Sequence, residues 1–87
     1  MKKRNIIAIL VEQRDEVAVK VQQILTAWGC MIKTRLGLHE GVLDKCTQTG
    51  LIILEMVGED DKIDEFIRKL KLIKGVDTKK IVLELKD

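Results

Sequence analysis

The chain contains no proline and very few aromatic side chains. Its 87 residues include no proline or tyrosine, one phenylalanine and one tryptophan. Because proline is absent, the six glycines are the residues best suited to end helices and form turns. Because Trp28 and Phe66 are the whole aromatic complement, the chain lacks the row of aromatics on which RNA-recognition domains stack bases. An RNA-binding module of that class is therefore excluded.

A strong excess of charge of either sign is also missing. The sequence has 16 basic and 14 acidic residues, for a net charge of +2. Proteins that bind polyanions usually carry a pronounced basic surface, so the isolated chain is predicted not to bind nucleic acid. The apolar run at 6–11 ends in a charged segment and is too short for a secretory segment or a membrane span. No membrane partner is expected.

Cysteine and histidine are scarce, which limits redox and metal chemistry. Cys30 and Cys46 are too few and too far apart for a disulfide framework or a paired-cysteine metal motif, which favours a reducing, cytoplasmic location. Cys30, His39 and Cys46 are the only soft metal ligands, and they lack a fourth ligand and a recognised spacing. We predict no metal or cofactor and interpret Cys30 as a small buried hydrophobe. A metal-binding sensor that uses these three residues is the alternative function.

The length predicts one domain, residues 1–87, with little room for an enclosed active-site cleft. No set of nucleophile, base and oxyanion donor stands out, and no glycine-rich phosphate loop follows the first apolar run. No catalytic residue is therefore assigned. The chain is predicted not to be an enzyme.

The spacing of the hydrophobic residues predicts four strands and two helices. The predicted strands are 6–11, 31–36, 51–57 and 79–86. A helix capped by Asp15 would bury one apolar stripe, which consists of Val17, Val21, Ile24, Leu25 and Trp28. The stripe of the second helix consists of Ile63, Phe66, Ile67, Leu70 and Ile73. Gly29 and Gly75 follow the two helices and are expected to end them in the left-handed conformation.

The order strand, helix, strand, strand, helix, strand predicts an α+β fold. Two right-handed strand–helix–strand units in series give a ferredoxin-like βαββαβ sandwich, with an antiparallel sheet of order 4-1-3-2 and both helices on one face. Strands 6–11 and 51–57 are apolar on both faces, as central strands should be. Alternation in the last strand suggests that Ile81, Leu83 and Leu85 point inward. In strand 31–36 it places Ile32 and Leu36 on one face and Lys33 and Arg35 on the other.

The central strands carry apolar residues on both faces, but the helices cover only one face. The apolar side chains on the other face are therefore left uncovered within one chain. The side chains of Leu51, Ile53, Glu55 and Val57 are predicted to point away from the helices and to form an oligomer interface. A homo-oligomer is expected, with a symmetric dimer as its simplest form. Glu55 should then find a basic partner such as Lys33 or Arg35.

Three segments together resemble a known family. They are Arg35-Leu36-Gly37-Leu38, Gly50-Leu51-Ile52-Ile53-Leu54 and Leu70-Lys71-Leu72-Ile73-Lys74-Gly75-Val76. They are similar to the iron-only hydrogenase system regulators, a family with an ACT-like, ferredoxin-type fold, and the resemblance covers essentially the whole chain. It implies a regulatory module without chemistry of its own, acting as a homo-oligomer and binding a small-molecule effector. The loop Glu12-Gln13-Arg14-Asp15 lacks the glycine common in amino-acid-binding ACT domains, which argues against an amino acid as the effector.

Overall fold

The computed structural model describes residues 2–12, 15–38 and 49–86. In chain order the elements are β1 (Lys2–Glu12), α1 (Asp15–Ala27), β2 (Ile32–Leu38), β3 (Thr49–Met56), α2 (Asp60–Lys71) and β4 (Val76–Leu85). A short 3-10 turn, Gly29–Met31, joins α1 to β2. Each predicted strand and helix is present in the predicted order. The strands differ from the prediction mainly in being longer, with β1 beginning at Lys2 and β4 at Val76.

The strands form one antiparallel sheet in the order β2-β3-β1-β4, which is the predicted order read from the other edge. Ile9 of β1 lies opposite Ile52 of β3 and Thr78 of β4, so β1 is central. The buried apolar side chains of β1 are Ile7, Ile9 and Val11, and both helices pack against them. The α+β, ferredoxin-like βαββαβ class is confirmed. The finer ACT-like assignment stays a prediction.

The core lies between the helices and one face of the sheet, called here the helix-covered face. Its members on the helices are Val17, Val21, Leu25, Ile63, Phe66, Ile67 and Leu70. Trp28 and Phe66 meet with ring centroids 5.7 Å apart and planes inclined at 59°, a tilted arrangement that aromatic pairs favour. The two predicted helical stripes are therefore confirmed as core surfaces.

Among the glycines that the structure describes, Gly58 (φ +130°) and Gly75 (φ +93°) adopt the left-handed region. Gly75 follows α2 as predicted, and its carbonyl accepts a hydrogen bond from the amide of Glu12 (2.9 Å). The same expectation for Gly29 is wrong. The chain tightens after α1 into a 3-10 turn, in which the Met31 amide donates to the Trp28 carbonyl (3.0 Å), so no left-handed residue is needed.

The predicted facing of β2 is wrong beyond its first residue. Ile32 lies opposite Met56 and Thr34 opposite Glu55, so the three β2 residues 32–34 lie opposite only two residues of β3. The bulge at Lys33 reverses the alternation that follows it. Leu36 consequently lies opposite Ile53 and on the same face as Ile53. Ile32 lies on the other face of the sheet.

The predicted facing of β4 is also wrong. Ile81 lies opposite Ile6, on the face that the helices leave uncovered, whereas Thr78 lies opposite the buried Ile9. Ile81, Leu83 and Leu85 therefore point away from the helices. Alternation identified the two faces of this strand, but which face the helices cover depends on the register with β1. On the helix-covered face of β4, Thr78 is buried, whereas Lys80, Val82 and Glu84 are exposed.

Candidate functional site

The face of the sheet opposite the helices, called here the open face, is largely apolar across all four strands. Ala8 lies at its centre, opposite Ile53 of β3 on one side and Lys79 of β4 on the other. The apolar members of this face with described side chains are Ile6, Ala8, Leu10, Leu36, Leu51, Ile53, Ile81, Leu83 and Leu85. The surface is larger than the sequence predicted, because β4 adds its apolar residues to it.

The four predicted interface residues lie on or next to this surface. Leu51 and Ile53 are half-buried on the open face, and Glu55 lies on the same face with only 7% of its surface exposed. Val57 is one residue beyond the end of β3, and its amide donates to the Met31 carbonyl (2.8 Å). Their contact with another chain stays a prediction.

Glu55 forms a bidentate ion pair with Arg4. The Arg4 Nε donates to Oε2 of Glu55 at 2.6 Å, and Nη2 donates to Oε1 at 2.5 Å. These hydrogen bonds and the nearby charges of Arg4 and Lys33 hold the pKa of the Glu55 carboxyl below its ordinary value. The carboxylate is thus ionised and fully engaged within an apolar surface.

The basic partner of Glu55 is Arg4, whereas the sequence predicts Lys33 or Arg35. Arg35 is excluded as a direct partner, because the bulge at Lys33 moves it to the helix-covered face, where its Nη2 donates to Oε1 of Gln22 on α1 (2.7 Å). Lys33 contributes charge but no hydrogen bond. Sequence reasoning missed Arg4 because strand β1 was expected to start at residue 6. Two-residue alternation extended backwards from Ile6 would have placed Arg4 on the open face.

A second feature is a polar concavity of about 430 Å³ at the start of α2. Lys3 and Asp60 form an ion pair across it (2.5 Å). Asn5 also lines it, and its buried Oδ1 has no hydrogen-bond partner within the part of the chain that the structure describes. A buried acceptor without a donor is unfavourable. The oxygen is shielded from solvent, so an N–H or O–H group of a ligand would reach it once the Asn5 side chain turns toward the concavity.

The residues of the alternative metal site are only partly described. Cys30 lies in the 3-10 turn and is exposed, so its interpretation as a buried hydrophobe is wrong. His39 and Cys46 lie outside the described residues. Within residues 2–12, 15–38 and 49–86, no three metal-ligating side chains form a cluster. None of the helices described is long and apolar enough to cross a membrane.

These features define a class, a small ferredoxin-like domain with helices on one sheet face and an apolar surface on the other. The sequence matches the TM1266-like family, described as "Iron-only hydrogenase system regulator, putative", over residues 3–80, and the chain belongs to this family. The structure is similar to that of the uncharacterized protein TM1266 from Thermotoga maritima, at 28% identity and a TM-score of 0.82. That match covers 95% of this chain and 100% of the other. No curated protein matches the sequence.

Proposed function

We propose that the chain is a non-enzymatic regulatory module of the iron-only hydrogenase system and acts as a homo-oligomer. Membership of the TM1266-like family supports the regulatory role. The observation that carries the oligomer is the open face, whose apolar side chains come from all four strands. A contiguous apolar surface of this kind is typical of an interface.

A second copy is the partner that this surface fits best. A symmetric dimer presents the same patch twice, so an apolar centre meets an apolar centre. Ile53 and Ala8 would lie in the middle of the contact, with Leu51 beside them. Glu55 would enter the interface already paired with Arg4, which avoids burying an unpaired charge.

Replacement of Ile53 by lysine tests this proposal. Ile53→Lys places an ammonium group at the centre of the open face, and the helix-covered core is left unchanged. We expect sedimentation to show a loss of the oligomer, while urea unfolding remains cooperative. Val19→Lys is the matched control, because Val19 is an exposed β-branched residue on α1. An Ile53→Lys protein that keeps the wild-type assembly would contradict the proposal.

We place the effector site of this module in the polar concavity at the start of α2. Asn5 supports the assignment, because its Oδ1 needs a donor that a ligand could provide. A ligand that binds the native state raises the melting temperature, so a metabolite and metal screen tests the site. The expected result is a compound that shifts the wild type but not Asn5→Leu.

The outcome of the same screen separates the effector module from the metal sensor. A compound that shifts Asn5→Leu as much as the wild type would contradict the concavity as its site. Stoichiometric zinc, nickel or iron that is lost on Cys46→Ala would favour the metal-sensing function with Cys30 and His39 as further ligands.

A further inference from the structure

The two edges of the sheet differ in how well they are protected from pairing with another strand. The β2 edge is short, is interrupted by the bulge at Lys33 and follows a 3-10 turn. The β4 edge is ten residues long, and its register with β1 is unbroken from Leu85 to Val76. Bulges and short lengths prevent edge pairing, whereas long regular edges favour it.

The second half of β4 is apolar on both faces and exposed. Ile81 and Leu83 are 47% and 56% exposed on the open face. Val82 is 45% exposed although it lies on the helix-covered face, opposite Asn5. A partner on the open face would cover Ile81 and Leu83 but would leave Val82 in water. A strand added at the edge would pack against all three.

The charges of β4 select one symmetric register. Two copies joined edge to edge in a continuous antiparallel sheet are related by a two-fold axis perpendicular to it, so residues opposite each other share a face. With the axis at Val82, Lys80 of each copy lies opposite Glu84 of the other, and Ile81 lies opposite Leu83. An axis at Lys80 would place the Lys80 ammonium groups of the two copies opposite each other. An axis at Leu83 would place Lys80 of one copy opposite Lys86 of the other. An axis at Ile81 would place Lys80 opposite Val82 and Glu84 opposite Thr78, so neither charge would meet an opposite one.

We infer that the β4 edge binds the β4 edge of a second copy, antiparallel and centred on Val82, to form an eight-stranded sheet. This rests on the proposed function only in taking a second copy as the partner, since the surface is the edge of the sheet and not its open face. Within one chain, Lys80 Nζ already contacts Asp64 of α2 (2.6 Å). Pairing would place Lys80 between that carboxylate and Glu84 of the second copy.

Disulfide trapping tests the register. The chain carries Cys30→Ser and Cys46→Ser, and a single cysteine is introduced at Val82, at Glu84 or at the exposed Leu72. Residues opposite each other on antiparallel strands are close enough for a disulfide, and only residue 82 lies opposite itself. We expect Val82→Cys to give predominantly linked dimer on mild oxidation, and Glu84→Cys and Leu72→Cys to remain largely monomeric on denaturing gels.

Charge exchange tests the same register without cysteines. Glu84→Lys and Lys80→Glu each place like charges opposite each other in their own homodimers, so each should lose edge pairing. A mixture of the two variants restores both opposite-charge pairs between chains but leaves the altered contacts with Lys3 and Asp64 inside each chain. Native mass spectrometry of the mixture is expected to show the heterodimer in preference to either homodimer.

The possible outcomes separate this inference from the proposed function. The edge inference is wrong if Val82→Cys links no better than Glu84→Cys and the mixture gives no heterodimer. If light scattering still shows an oligomer in that case, the proposed open-face oligomer is unaffected. If Val82→Cys links efficiently in an Ile53→Lys background, the edge pairs independently of the open face. A chain that stays monomeric and links nowhere contradicts both.

Discussion

Glu55 shows how a charged residue is accommodated in an apolar surface. It is the one charge in the 51–57 segment, and it is 7% exposed. The guanidinium of Arg4 satisfies both of its oxygens, and the resulting hydrogen bonds lower the pKa of the carboxyl. Arg4 keeps much of its own surface exposed, so the pair can be tested without disturbing the helix-covered core.

The stability difference between wild type and Glu55→Gln is expected to depend on pH in one direction. Because the folded-state pKa of Glu55 lies below its ordinary value of 4.5, the pair's contribution is fully present above that value. It is lost as pH falls through the lower, folded-state pKa. Urea unfolding from pH 7 to pH 3 should therefore show the stability advantage of wild type over Glu55→Gln at its largest near neutrality and shrinking below pH 4.5. An unchanged difference across that range would contradict the pairing with Arg4.

Thr78 offers a residue-scale test of packing on the helix-covered face. It is fully buried opposite Ile9, and its Oγ1 has no hydrogen-bond partner among the residues that the structure describes. Thr78→Val keeps the shape and removes the hydroxyl, so the free energy of unfolding should rise by about 1 kcal/mol. Thr78→Ser, which keeps the hydroxyl and removes the methyl group, should lower it. A loss of stability in Thr78→Val would show that the hydroxyl is satisfied.

The strands and helices of the described chain could all be predicted from the spacing of hydrophobic residues, because each element buries one face or one stripe. This spacing did not identify which face of β4 the helices cover, since register with β1 decides that. It also missed the bulge at Lys33, which no residue type in β2 marks, and with it the positions of Leu36 and Arg35. The same two limits hid Arg4 as the partner of Glu55 and the contribution of β4 to the open face.

The turn between β3 and α2 depends on Gly58. Its φ of +130° is strained for any other residue, and a Cβ there would lie 2.7 Å from the Cε of Met31. Gly58→Ala is expected to lower the free energy of unfolding by about 1–3 kcal/mol, measured by urea denaturation. Gly37→Ala is the control, because a Cβ at Gly37 meets no atom of the described residues within 4 Å. Equal stability of the two variants would contradict the assigned turn.

At the scale of the whole molecule, the near balance of charge predicts how the isolated chain behaves toward nucleic acid. A net charge of +2 and a β3 strand without aromatic residues offer neither a phosphate-binding surface nor a stacking platform. Fluorescence anisotropy with duplex and single-stranded probes at physiological salt is expected to show no specific binding. Submicromolar affinity with a sequence preference would contradict this expectation.

The open face unites all four strands, and no described residue of the single chain covers it. The most direct test is the molar mass of the wild-type protein, measured by light scattering at tens of micromolar. One chain has a mass of 9.9 kDa. We expect a mass at least twice that of one chain, because a second copy is proposed to cover the open face. A mass of one chain at that concentration would contradict it.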